Sequence, residues 1–247
     1  MTPINAPQVL IVGGEGTSEY EAGEIWHYFD TKVGLAASIV EQQHLAAALT
    51  DPTIQYTHVI FPSGRYGFSD GERSKIESWV KAGGTVIGQK SALNYFAEHK
   101  WLKAEIVNRD TINNAFDESE LRYGDGAALY AKKLVAGAVY EATIDTSHPL
   151  FFGYENDTLP MFKTSNLIVK GDESPFVTPA RYTEAPLMAG FSDKAMVALM
   201  AESTAVTTQR MERGVIIGFT DNTQFRGYWY GTNKMLANAI YQSHKLR

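Results

Sequence analysis

Cysteine is absent from all 247 residues of the chain. Disulfides, thiolate metal sites, iron–sulfur clusters and cysteine nucleophiles are excluded with it. Histidine is sparse: His27, His44, His58, His99, His148 and His244 stand apart, with neither a His-x-x-Glu nor a His-Glu-x-x-His among them. Two metal ligands from one turn of helix are therefore unavailable, and no metal site is expected. His27 beside Glu24 reads as a surface ion pair, and His58 at a buried strand as satisfied by a neighbour. Basic residues are in the minority, 22 Lys and Arg against 28 Asp and Glu, for a net charge of −6. The positive field that gathers nucleic acid is lacking, so no nucleic-acid partner is expected. No apolar run nears the roughly 18 residues that cross a bilayer, so no membrane span is expected. The start, Met1 to Pro7, has neither the basic region nor the hydrophobic stretch of a signal peptide. A cytoplasmic chain, or a mature domain or fragment, fits that start.

What is present is an alternation of strand and helix patterns. Val9-Leu10-Ile11-Val12 runs into Gly13-Gly14, as a strand buried on both faces would. Ser18 with Glu21 makes a capping box, and Ala22, Ile25, Trp26, Phe29 and Val33 follow at helical spacing until Gly34. Further strands are expected at 37–40, 57–61 and 85–88. Ser69 with Glu72 opens a helix carrying Ile76, Trp79 and Val80, and Leu93, Phe96 and Ala97 mark one more. Such alternation predicts a doubly wound parallel α/β sheet with helices on both faces. From about 103 to 190 the helical period fades, predicting a β-rich insertion in a single domain spanning 1–247. Thr204–Met211 and Val215–Phe219 flank a turn as a hairpin would, and a last helix is expected from about Tyr228.

Ligands of such sheets sit beyond the carboxyl ends of the strands. The predicted crevice there is lined by Glu15, Gly16, Ser63, Arg65, Lys90, Ser91, Asp221, Asn222 and Arg226. Turn and cap roles explain the same residue types, Ser91 as a helix N-cap among them. Three signatures nearly match. Gly14-Glu15-Gly16 begins a dinucleotide fingerprint whose third glycine is replaced by Glu19, although Glu41 does follow the second strand. Gly84 to Ser91 lacks the second glycine of a phosphate loop. Gly88-Gln89-Lys90-Ser91-Ala92 occupies the place of a nucleophile elbow with Lys90 at its centre. The aromatic segment from Phe225 to Tyr230 could bind a sugar or peptide, or pack the last helix down.

Gly14 to Trp26, Phe61-Pro62-Ser63-Gly64, Trp79 to Thr85, Arg181-Tyr182-Thr183 and Asp221-Asn222 to Asn233 together resemble one family. It is the class I glutamine-amidotransferase-like domain that ends certain bacterial zinc carboxypeptidases of the carboxypeptidase A type. The resemblance implies a flavodoxin-like sheet, a secreted or periplasmic parent, and a zinc peptidase domain before residue 1 as partner. Zinc would belong to that domain, and no cofactor is implied in this chain. Amidotransferases of this fold place a cysteine at the elbow, with a histidine and glutamate downstream. Here the elbow residue is Lys90 and no histidine follows near Asp221. The reading is an accessory module for interaction or substrate presentation, without amidotransfer. Its rivals are a hydrolase or transferase using Lys90 and Ser91 with Glu15 or Asp221, and a nucleotide-binding module.

Overall fold

The computed structural model describes residues 6–247. Strand β1 (Val9–Gly13) leads to helix α1 (Glu19–Tyr28), and β2 (Ala37–Glu41) to α2 (Gln42–Thr50). Next come β3 (His58–Phe61), α3 (Asp70–Lys81), β4 (Thr85–Gln89) and α4 (Ala92–Glu98). The middle of the chain holds β5 (Ala104–Ile106), α5 (Arg109–Asn114), α6 (Gly126–Lys132), β6 (Ala138–Ile144) and β7 (Thr158–Lys163). After β8 (Val169–Gly171) and β9 (Ala180–Gly190) the chain closes with α7 (Lys194–Met200), β10 (Thr204–Met211), β11 (Gly214–Phe219) and α8 (Asn233–Tyr241).

Nine strands form one sheet in the order β2-β1-β3-β4-β11-β10-β9-β6-β7. The run from β2 to β11 is parallel. From β11 outward every pair is antiparallel. Alternate residues of each parallel strand enter opposite cores, as the period of two demands. Val9, Ile11, Ile60 and Ile87 pack with Ile25 and Phe29 on one side and with Leu236 and Ile240 of α8. Leu10, Val12, Val59 and Phe61 pack on the other against Leu45, Ile76, Val80, Leu93 and Phe96. Each such fully buried side chain contributes about 1.5–3 kcal/mol. The molecule is a mixed α/β fold with helices on both faces.

Several expectations change in detail. Residues 103–190, predicted as a β-rich insertion, supply strands to the sheet itself. Strands β6, β7 and β9 are hydrogen-bonded members of it, and β5 pairs only with β8. The fading period reflects the shortness of α5 and α6, which are too brief to display a stripe. Helix α1 ends at Tyr28 and continues as a π turn over Phe29–Val33. Within α1 the face carrying Ala22, Ile25 and Tyr28 is buried and Trp26 faces solvent, and the Tyr28 hydroxyl donates to the Asn233 carbonyl at 2.9 Å. The last helix begins at Asn233 rather than near Tyr228, after a separate short turn over Phe225–Gly227 in which Arg226 (φ 49) and Gly227 (φ 66) are left-handed. The hairpin β10–β11 pairs Met211 with Gly214 across the predicted turn.

Gly214 is required by close approach rather than by turn geometry. A Cβ there would run into the carbonyl oxygens of Val80 and Gly84, which are backbone atoms and cannot swing aside. Gly214→Ala should therefore cost about 3 kcal/mol by overpacking, read as a lower denaturant midpoint at unchanged slope.

Two buried histidines give the fold an acid limit. His58 lies between the Thr57 hydroxyl at 2.8 Å and the Ser243 hydroxyl at 3.0 Å. Burial, then the nearby Arg247, pushes its pKa down to about 3. Burial likewise lowers His148 to about 4, opposed by Asp145. Unfolded imidazoles titrate near 6.5, so between that value and the folded ones the unfolded chain binds more protons. This contribution is complete above about pH 6.5 and shrinks as pH falls toward 4 and below, with a slope of up to about 1.4 kcal/mol per unit per histidine. His58→Gln should flatten that limb in denaturant titrations from pH 7 to 4.

Candidate functional site

The carboxyl ends of β1, β3 and β4 converge. Thr17 and Gly64 form an isolated bridge, the Arg65 amide donates to the Gly16 carbonyl at 2.8 Å, and the Ser18 amide to the Ser63 carbonyl at 2.8 Å. Gly14 (φ 83) and Gly16 (φ 84) permit the loop between β1 and α1 to make that approach. Beyond β4 the chain reverses sharply into α4 through Lys90, a non-glycine residue at φ 49. That is the strained strand–turn–helix geometry of an elbow.

Lys90 is held by a residue that the sequence reading assigned to a cap. Its Nζ lies 2.7 Å from Glu21 Oε1 and donates to the Thr164 hydroxyl at 3.1 Å. Glu21 Oε2 accepts the Ser63 amide at 3.0 Å. The capping box at α1 is thus half made: Ser18 Oγ accepts the Glu21 amide at 3.4 Å, but the carboxylate turns away into the site. At α3 the box is complete, with Glu72 returning to the Ser69 amide at 2.8 Å.

Ser91 does not cap α4 with its side chain. Its hydroxyl accepts the Gly64 amide at 2.8 Å and meets the Ser63 hydroxyl at 2.7 Å. Ser63, Lys90 and Ser91 border a crevice of about 700 Å³. Its other walls come from α4, β5, α5, α6 and residues 165–167.

The remaining predicted residues lie elsewhere. Glu15, Gly16 and Arg65 line a second crevice with Glu41 and Glu72. Three carboxylates there oppose a phosphate, which weakens the nucleotide-binding alternative. Asp221 is only 2% exposed and pairs with Lys163, whose Nζ is 3.1 Å from Oδ1. The Tyr182 hydroxyl donates to the same carboxylate. Burial pulls the Lys163 ammonium downward while Asp221 opposes it, and burial drives the Tyr182 phenol upward. These groups lock the core and are shut off from solvent. Asn222 donates to Glu24, which also accepts the Arg226 amide at 3.0 Å. Burial raises the Glu24 carboxyl above its ordinary range, against those two hydrogen bonds. The aromatic segment packs down: Phe225 stacks on Phe162 at 4.7 Å and Trp229 lies 5.5 Å from the same ring. Tyr228 and Tyr230 remain exposed. His27 has no ion pair with Glu24, whose carboxylate is already occupied. Among the described residues no cluster of three or more His, Asp or Glu is placed to hold a metal, and no helix is long and apolar enough to cross a membrane.

No protein-family profile and no curated protein matches the sequence. Solved structures match the architecture. A protein described as ThuA-like from Parabacteroides merdae superposes with a TM-score of 0.60 at 12% identity, over 98% of this chain and 90% of its own. A second ThuA-like protein, from Bacteroides uniformis, gives 0.53 at 12% identity over 97% and 92%. A β-galactosidase from Bacillus circulans sp. alkalophilus gives 0.55 at 11% identity, covering 96% of this chain but 31% of its own. The likeness is one of fold.

Of the predicted crevice residues, the structure brings Ser63, Lys90 and Ser91 together, and it adds Glu21, Thr164 and the wall from α5 and α6, which the strand-end rule does not reach. Glu21 carried a signal, a capping-box glutamate, that concealed its second use. Removing its charge should expose this. Glu21→Gln keeps an acceptor for Ser63 but leaves Lys90 largely buried without a counter-charge, at a cost of about 2–3 kcal/mol. Adding Lys90→Met should recover most of that loss in a double-mutant cycle measured by chemical denaturation.

Proposed function

We propose that the chain is a class I glutamine-amidotransferase-like module that has no amidotransfer chemistry and binds a ligand in the crevice beside Lys90, as an accessory domain of a hydrolase. One observation carries this reading: the elbow position holds a lysine already committed to Glu21 at 2.7 Å and Thr164 at 3.1 Å. An ammonium fixed in an ion pair has no lone pair to attack with, so the residue acts as a structural and recognition group. The finer fold assignment draws on the parallel order β2-β1-β3-β4-β11, which matches a flavodoxin-like half-sheet. Support for an accessory role comes from the β-galactosidase, in which the matching region is 31% of the protein. Partnership with a zinc carboxypeptidase rests on the residue resemblance alone, since none of the structures compared above is a carboxypeptidase. A His-x-x-Glu zinc motif encoded upstream of Met1 would support it.

A hydrolase or transferase reading draws on the same pair, because a lysine and carboxylate at hydrogen-bond distance beside a walled crevice is what an acid–base route requires. Its partner would be Glu21 rather than Glu15 or Asp221. Turnover separates the two. The module reading expects no ammonia from glutamine and no hydrolysis of an amide, ester and glycoside panel, for the native chain and Lys90→Met alike. Turnover that Lys90→Met abolishes would establish the enzyme instead.

A further inference from the structure

Three places invite a ligand: the acidic crevice at Glu15, Glu41 and Glu72, the exposed Tyr228 and Tyr230, and the crevice beside Lys90. Of the two crevices, only the one beside Lys90 has an aliphatic wall and charged lining residues that are all cationic. Resting on the binding reading above, we infer that it takes a carboxylate carried on an apolar body, with Arg109 as the charge partner.

The argument begins with the sign of the lining. Lys90, Arg109 and Lys133 border the crevice, and none of the described lining residues is acidic. Two of these cations are already neutralised. Lys90 is bound to Glu21, and Lys133 Nζ lies 2.8 Å from Glu118. Arg109 has no ion-pair partner among the described residues and is exposed at the rim. One free guanidinium matches one carboxylate, which it can hold through two parallel hydrogen bonds. A phosphate dianion would call for further uncompensated cations, which the lining does not offer.

The rest of the wall specifies the body of the ligand. Ile106, Ile112, Leu129 and Leu134 give it an aliphatic side, and Asn94 and Asn113 supply amides able to donate or accept. The enclosed Ser165 hydroxyl at the same wall has no hydrogen-bond partner within the protein, an exception among buried polar groups. A volume of about 700 Å³ suits a ligand of a few tens of heavy atoms. A polyhydroxylated neutral sugar would leave the aliphatic side and the free arginine unused. A medium-chain organic acid and the carboxyl-terminal residue of a peptide share the required chemistry.

Isothermal titration of the full chain decides between these outcomes. The probes are octanoate and an acetylated tripeptide ending in leucine, each compared with its neutral amide. At least one acid should bind at least about tenfold more tightly than its amide, weaken at higher salt, and lose about tenfold or more in Arg109→Ala. Arg109 lies on a short exposed helix, so its variant should keep the native circular dichroism spectrum and melting temperature. Tight binding of the octanoate names a free acid as the source, and tight binding of the tripeptide names a chain terminus. Equal binding of acid and amide, indifference to Arg109→Ala, or no binding by either acid would overturn the inference. Cleavage of the tripeptide during titration would overturn the non-catalytic reading while leaving the ligand class supported.

Discussion

A single carboxylate organises the carboxyl edge of the sheet. Glu21 reaches from the first turn of α1 to the Ser63 amide after β3 and the Lys90 ammonium after β4. Lys90 passes the connection on to Thr164, just beyond β7. Four separate stretches of chain are thereby joined through one ion pair whose side chains are largely buried. A charge in such a place must be compensated, so neither partner can leave without stranding the other. The elbow, the serine pair beside it and the near wall of the crevice are arranged around that constraint.

A second pair does comparable work for the antiparallel half. Lys163 comes from β7 at the far edge of the sheet and Asp221 from the end of β11 at its centre. Tyr182 of β9 donates to the same carboxylate, so three strands share one buried polar knot. The two knots are neighbours, since Thr164 of the first follows Lys163 of the second. Residues 103–190 are for this reason part of the sheet's structure and not an appendage to it.

Much of the fold was legible in the sequence because local rules and tertiary demands agreed there. The apolar runs at Val9–Val12 and Thr85–Gly88 could be satisfied only by burial on both faces, and the Ser69–Glu72 box works within one helical turn. Legibility failed where a residue served two masters. Glu21 satisfied the capping pattern and was claimed by Lys90 instead. Ser91 stood at an N-cap position, yet its hydroxyl accepts the Gly64 amide from the loop after β3. Asp221 stood at a strand end, where the rule for open sheets places ligands, but a lysine 58 residues earlier drew it into the core.

The chain order by itself determined the alternating strands and helices, the exclusion of cysteine chemistry and the identity of the elbow residue. Those are properties of composition and short-range pattern. Only the tertiary structure decided that the predicted polar residues divide among a crevice beside Lys90, an acidic crevice at Glu15 and a closed knot at Asp221. It also decided that the elbow lysine is tied down and that, among the described residues lining its crevice, Arg109 is the cation without an ion-pair partner. The physical reason is that charge compensation is a long-range matter. Which ion is paired and which is free depends on partners that no local spacing reveals.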